Sequence, residues 1–482
     1  MNRNINLDNN DSNRIESRNN LENLEITDRT DQSDQSDQIE EESQNVHKFV
    51  RDGEEIKIFL PRFEIDVGTM KQIHQITGHK ILKNVRFMPD CHRGVGCCVG
   101  LTGQIMDKVI PRYVGVDIGC GISTYPMNVK LKRRKIPKVE RLIKELVPMG
   151  CGRGGIHRSI QLRDEDWVWL VTKSQEQIDK LKDIKQEEYP NYVFPEIDIE
   201  WIHQMIKKIR GEPKRILCSA GTLGGGNHYV EVNEDDNENC YLTVHSGSRS
   251  LGFKVCKYHQ NIINNNCKFD WMEFRRRMKE IKRHIKASDE LLKAETQVKE
   301  QMYSELHPKY LEGTEMLDYL VDMIVSQNFA TLNRNMMIRS VIINLGYDWD
   351  PKRIIETLHN YIDMDRFMIR KGSISANEGE LCIISLNMRD GILLCRGKGN
   401  PDWNYSSAHG CGRVLNRQKA SSNLKMKDFV KSMEDVYSTS VRVETLDESP
   451  MAYRDVELVK ECLKDSVDII QQLRPIINCK GW

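Results

Sequence analysis

Asp117 and Cys120 stand three residues apart in V-G-V-D-I-G-C-G, and four histidines recur beside glycine or small polar residues: His228 in G-G-G-N-H-Y-V-E, His245 in H-S-G-S-R, His359 in H-N-Y and His409 in A-H-G-C-G-R. A carboxylate, a thiolate and several imidazoles make a donor set for divalent metals of intermediate softness. The glycines let backbone N–H groups approach phosphate. Singly, each motif is equally compatible with a turn or a hydrogen-bonded core histidine; together the six residues read as one metal and nucleotide site. Gly119 and Gly121 permit sharp bends, so Asp117 and Cys120 can face one ion, and a thiolate sulfur can bridge two. Nothing in A-H-G-C-G-R alone separates a nucleophile from a ligand. Arg413 in that motif can pair with phosphate in a bidentate manner.

Elements from distant parts of the chain must gather these residues. Residues 55–125 alternate short apolar runs with Gly and Asp turns and predict strands with motifs on their loops. Helices are expected over 136–210, 315–345 and 450–475. Strand-like runs are expected over 216–252, including I-L-C-S-A and Y-L-T-V-H, and over 366–415. If 227–231 is extended, Asn227, Tyr229 and Glu231 share one side. Phe274, Met278, Ile281 and Ile285 form a helical apolar face opposite a basic one, which is ordinarily only solvated. No internal repeat is present, so the expected fold is α+β: a single large mixed α/β catalytic domain over 46–482 with metal ligands supplied by loops.

Composition narrows the class. With 39% hydrophobic and 29% charged residues, the 482-residue chain can bury a large core. It shows no run near the ~18–20 apolar residues of a membrane helix and no secretory signal, so a soluble protein of cytoplasm or nucleus is expected. Residues 1–43 carry 12 acidic against 4 basic residues and a D-Q-S-D-Q-S-D-Q run, which predicts a disordered acidic tail over 1–45. The remainder therefore holds a modest positive excess, compatible with RNA. The 14 cysteines include no C-x-x-C pair and are expected to be reduced. Cys91, Cys97 and Cys98 cluster near His92 with the wrong spacing for a zinc finger, and read as buried small apolar residues.

The order and wording of the motifs resemble the RtcB RNA ligases, which join RNA ends using GTP and manganese. The resemblance spans roughly 55–482: R-F-M-P-D-C-H-R-G-V-G (86–96), V-G-V-D-I-G-C-G-I, G-T-L-G-G-G-N-H-Y-V-E-V (221–232), H-S-G-S-R-S-L-G, H-N-Y-I-D, R-K-G-S-I-S-A (370–376), N-M-R-D-G (387–391), G-K-G-N-P-D-W-N-Y-S-S-A-H-G-C-G-R (397–413), P-M-A-Y (450–453) and Lys480-Gly481. It implies one Mn²⁺ on Asp117, Cys120 and His228 and a second on Cys120, His245 and His359. It makes His409 the nucleophile, guanylylated by GTP. Nucleotide contacts are implied for Asn227, His228, Glu231, His359, Asn360, Ser385, Asn387 and Met388. They are implied also for His409, Gly410, Cys411, Gly412 and Lys480. Asp90, His92, Arg249, Lys371 and Arg413 would support phosphate or RNA.

The expected substrates are RNA ends bearing a 2′,3′-cyclic phosphate or 3′-phosphate and a 5′-hydroxyl, in tRNA splicing or RNA repair, with an archease-like activator as a further partner and no membrane. The chain departs from the family's frequent P-G-S-M-G: it has S-L-N-M-R-D-G, with Ser385 for proline and Ile392 where serine is usual. The same ligands would also serve a dinuclear phosphoesterase, in which His409 is a general acid. A non-catalytic RNA-binding protein on the same fold is a third reading, which the complete ligand set disfavours.

Overall fold

Most of the strands are buried along most of their length, and the computed structural model places them as follows: β1 (Gln38–Ser43), β2 (Val46–Arg51), β3 (Glu54–Ile58), β4 (Leu82–His92), β5 (Val99–Ile105), β6 (Lys108–Val109), β7 (Gly121–Pro126), β8 (Tyr229–Glu234), β9 (Cys240–Ser246), β10 (Leu311–Glu312), β11 (Ile355–Leu358), β12 (Asn360–Asp363), β13 (Met368–Lys371), β14 (Ser373–Ser375), β15 (Leu381–Ser385), β16 (Ile392–Gly397), β17 (Ser406–Ala408) and β18 (Val467–Cys479). The structure describes residues 38–43, 45–150, 162–266, 271–285 and 310–481, with scattered positions between 290 and 302.

Two seven-stranded sheets run in the orders β1-β2-β3-β4-β5-β13-β12 and β11-β7-β9-β8-β18-β16-β15, beside the two-stranded pairs β6-β10 and β14-β17. The neighbours pair antiparallel except β3 and β4. That parallel pair needs a crossover, supplied by the helix Val67–Gly78, which Asp66 caps by accepting the Thr69 N–H at 3.0 Å. The helix Gly313–Asn344 is apolar on most of its circumference and buried along most of its length. Leu317, Leu320 and Ile324 join the core of the first sheet, and Met337, Ile338 and Val341 that of the second. This mixed α/β domain agrees with the expected class, and among the described residues no helix is long and apolar enough to cross a membrane.

Local expectations held unevenly. Y-L-T-V-H lies in β9, but I-L-C belongs to the end of a short helix, Pro213–Leu217, and the turn after it. Pro213 opens that helix where no N–H is needed. Residues 450–475, expected to be helical, hold a 3-10 turn at Pro450–Ala452 and the short helix Val456–Cys462 before β18 takes over. The β-branched residues of V-D-I-I and P-I-I favour the strand, and Pro475, which has no N–H to give, sits at a register shift against β8. Of the expected acidic tail, residues 1–37 lie outside the described residues, and Gln38–Ser43 is an edge strand paired with β2. The helix Trp271–His284 buries Phe274 and Met278, while Arg276 and Arg277 pair with Glu273. Lys286 of its basic run is outside the described residues. Cys91, Cys97 and Cys98 are buried in the first core as small apolar residues.

Candidate metal centre and active-site cleft

Strand register explains why three distant motifs meet. Cys120 directly precedes β7, His228 directly precedes β8, and His245 lies near the end of β9, paired with Ile122 on one side and Tyr229 on the other. All three therefore stand at one end of β7, β9 and β8. His359 lies where the chain leaves β11 in one sheet for β12 in the other, and its N–H donates to the Cys120 carbonyl at 3.0 Å. His409 follows β17, whose partner β14 comes just after Lys371 and Gly372.

The side chains converge as two groups of possible ligands that share Cys120: Asp117, Cys120 and His228, and Cys120, His245 and His359. Cys120 Sγ lies 3.5 Å from His228 Nε2 and 3.3 Å from His245 Nε2, and His245 Nε2 lies 3.3 Å from His359 Nε2. Two ligands of one small divalent ion, bound at ~2.0–2.3 Å, are separated by about this much. His228 Nδ1 faces the Leu223 carbonyl at 2.9 Å, which directs Nε2 to Asp117 Oδ2 at 3.0 Å. Lone pairs at that distance need a proton or a cation between them, so this set fits a metal.

Electrostatics agree with that fit. Burial, followed by the crowding of imidazoles in one site, holds His245 and His359 well below the ordinary imidazole value, which leaves them neutral and able to coordinate. Burial pushes the Asp117 carboxyl up, but the His228 hydrogen bond and charge outweigh it and set it at about 2. Burial and the adjacent Asp117 push the Cys120 thiol well up, so a thiolate here requires a cation beside it.

Two residues of the long helix brace the loops. Arg334, fully buried, donates to the Gly119 and Ser246 carbonyls at 2.8 Å and to Glu356 at 2.6 Å. Asn333 accepts the Thr222 N–H at 3.0 Å and donates to the Gly247 carbonyl at 3.0 Å. Gly119 has φ +71°, and a Cβ there would come within 2.6 Å of Gln327 Cα, so the D-I-G-C-G loop can lie against this helix only with glycine. Neither Asn333 nor Arg334 carries a motif; a charged residue within an apolar helical run was the one available signal.

His409 borders a cleft of about 830 Å³, which is lined also by Asp117, Cys120, His245 and His359. Its ring centroid is 4.7 Å from that of His359. Asp90, buried and behind the lining, places Oδ2 2.5 Å from His409 Nδ1. Asn227, Tyr229 and Glu231 all face the cleft, as the expected alternation requires. Asn360, Ser385, Asn387, Met388, Gly410, Cys411, Gly412, His92, Lys371 and Lys480 also line it. Ser385 donates its N–H to the His409 carbonyl at 2.9 Å and bonds the Tyr229 hydroxyl through Oγ at 2.8 Å, so the substituted loop stays against the motif. Ile392 is buried in β16, away from the lining.

Four expected positions differ: neither His228 nor Asp90 is among the residues that line the cleft, and Arg249 and Arg413 are engaged by other partners. Arg249 is outside the lining, with Nε donating to Thr222 Oγ1 at 3.1 Å, because a left-handed backbone (φ 56°) starts its helix there. The Arg413 guanidinium lines the cleft but is occupied internally, by Glu448 and Tyr453 at 3.3 Å and the Asp447 carbonyl at 2.5 Å. Sequence reasoning passed over Glu448, Tyr453 and Arg417, which complete this wall; the P-M-A-Y motif that follows Glu448 was the nearest signal.

The family described as tRNA-splicing ligase RtcB matches residues 71–481. RNA-splicing ligase RtcB of Escherichia coli K12 is 28% identical over 421 residues, covering 83% of this chain and 91% of that protein. tRNA-splicing ligase RtcB of Methanococcus maripaludis is 26% identical over 459 residues, covering 82% and 87%, and that of Nanoarchaeum equitans is 24% identical, covering 83% and 89%. A match over nearly all of the described domain makes this chain a member of the RtcB family.

Proposed function

We propose that this RtcB-family chain is an RNA ligase that joins an end bearing a 2′,3′-cyclic phosphate or 3′-phosphate to a 5′-hydroxyl end at the expense of GTP. The observation that carries the reading is the placement of His409 against His359, at the edge of a ligand cluster and inside a cleft large enough for a nucleotide. With Nδ1 turned to Asp90 Oδ2 at 2.5 Å, His409 Nε2 is the nitrogen left to attack the α-phosphorus of GTP, releasing pyrophosphate and leaving GMP on the ring. GMP then passes to the RNA 3′-phosphate, and the 5′-hydroxyl attacks that phosphate with GMP as leaving group. Two Mn²⁺, held by the groups that share Cys120, would neutralise charge on the phosphate oxygens and activate the attacking oxygen.

The residues around this chemistry have separable roles. Asn227 and Glu231 take the guanine, whose N–H groups suit a carboxylate acceptor. Lys480 and Lys371 bring positive charge to the cleft, and Gly410 and Gly412 leave room for the nucleotide beside His409. Residues 46–482 are the catalytic domain in this reading.

The test is joining. An RNA with a 3′-phosphate and one with a 5′-hydroxyl, incubated with the protein, GTP and Mn²⁺, should yield a ligated strand with one GTP consumed per join. Phosphate release without joining and without GTP use would instead identify a metal phosphoesterase.

A further inference from the structure

Glu448 connects two segments of the cleft wall that are far apart in sequence. Its Oε2 lies 3.0 Å from Lys480 Nζ and accepts the Tyr453 hydroxyl at 2.9 Å. Its Oε1 lies 3.3 Å from Arg413 Nη1 and also meets Arg417 Nη1. Arg413 comes four residues after His409, whereas Lys480 comes from the end of β18. The Lys480 and Glu448 side chains are only 2% and 3% exposed, yet both border the cleft. Lys480 Nζ is held further by the Gly226 carbonyl at 3.3 Å, in the same loop as Asn227.

A buried ammonium is costly without a counter-charge, and one carboxylate supplies it here. Burial pushes Glu448 up, but Lys480, Arg417 and Arg413 outweigh that and hold it well below the usual carboxylate range. Arg417 Nη1 also meets Asp447 Oδ2 at 2.6 Å, so three cations face two carboxylates and a single positive charge is left over beside the cleft, which suits a phosphate-bearing ligand.

We propose that Glu448 is a positioning residue for the nucleotide: it holds Lys480 through one oxygen and Arg413 and Arg417 through the other, and so aims these cations into the cleft without itself touching the reacting atoms. The inference rests on the reading of this cleft as a GTP site. Among the described residues Glu231, the other glutamate on the wall, bridges no such segments: it accepts from Asn233 of its own strand at 2.9 Å and from Asn478 of the adjacent β18 at 2.7 Å.

Equilibrium dialysis of GTP with a non-cleavable methylene bridge between its α- and β-phosphates, which cannot pass GMP to His409, in the presence of Mn²⁺ on full-length wild type, E448Q, K480M and E448Q/K480M, tests it. E448Q keeps the shape and loses the charge. Its Kd for GTP should rise about tenfold or more, the scale of a lost charged hydrogen bond, with Mn²⁺ content unchanged. If the carboxylate acts chiefly through the lysine, the double variant should bind GTP within about threefold of K480M. A purely structural role would lower the folded fraction and the melting temperature but leave the Kd of the folded protein unmoved. Should E448Q fail to fold because a buried lysine has lost its partner, the comparison of K480M with E448Q/K480M still decides, since removing both charges strands neither. GTP affinity of E448Q equal to wild type, or a double variant far weaker than K480M, would overturn the proposal while the ligase reading stands. Wild type that binds no GTP would overturn both.

Discussion

Asp90 Oδ2 lies 2.5 Å from His409 Nδ1 and also accepts the backbone N–H groups of His409 and Gly410, each at 3.1 Å. One carboxylate oxygen therefore holds the peptide that carries the ring and lies against the ring itself. Gly412 makes this approach possible: its φ is +71°, and a Cβ there would come within 2.5 Å of the Asp90 carbonyl. The relationship resembles the carboxylate–histidine arrangement in which an outer partner sets tautomer and orientation.

Asp90→Asn should consequently slow attachment of GMP to the protein by about 10- to 100-fold, the range for loss of a supporting partner of this kind, while Mn²⁺ content stays at the wild-type level. Rapid-quench measurement of the first turnover checks it. A rate equal to wild type would remove Asp90 from the account.

The residues of the candidate ligand cluster and His409 were legible in the sequence because most of them sit in glycine-rich motifs at strand ends, where side-chain type and local freedom coincide; the role of His409 was given only by the resemblance. The alternation placing Asn227, Tyr229 and Glu231 on one side was legible for the same reason, a period of two. The braces were not. Arg334 and Asn333 act across more than 80 residues on the Ser246–Gly247 segment, and no local pattern encodes such a contact. Nor was β18, whose closely spaced apolar residues read as helical until the sheet supplied partners on both sides. Glu448 was missed because a carboxylate between Asp447 and Ser449 looks like a solvated turn; only the tertiary fold buries it against Lys480.

GTP affinity should depend on Glu231 near neutrality. Burial pushes its carboxyl up to about 7, against the opposing pull of Asn233, Asn478 and Lys480, from an ordinary value of 4.5. Because the folded value is raised, the group's contribution to stability is complete below about 4.5 and is lost as pH rises through 7. Nucleotide binding has the opposite sign, since only the ionised form accepts two base N–H groups. Kd for GTP should tighten by up to about tenfold between pH 6 and 8, a change that Glu231→Gln abolishes. Titration at fixed Mn²⁺ checks this, and a Glu231→Gln protein with the wild-type pH dependence would exclude the assignment.

Replacing Cys120 with Ala should lower Mn²⁺ occupancy more than replacing His228, His245 or His359 singly, because its sulfur belongs to both ligand groups. Its loss also removes the negative charge that lets two dications lie close together. Metal analysis after dialysis is the measurement; full occupancy in the Cys120 variant would contradict a bridging sulfur.

Deletion of residues 1–37, which stops short of β1, should leave ligation of short RNAs intact. The segment carries nine acidic against four basic residues, so its removal should tighten RNA binding at low salt, with the difference shrinking as salt is added. RNA affinity across a salt series decides, and loss of ligation at every salt concentration would place the segment inside the catalytic domain.

Covalent labelling bears most directly on the central claim. Wild-type protein incubated with Mn²⁺ and GTP labelled at the α-phosphate should retain label after denaturation, on His409, and His409→Ala should retain none while binding wild-type amounts of Mn²⁺. Equal labelling of the His409→Ala protein, or ligation by a wild-type protein that never carries label, would contradict the account.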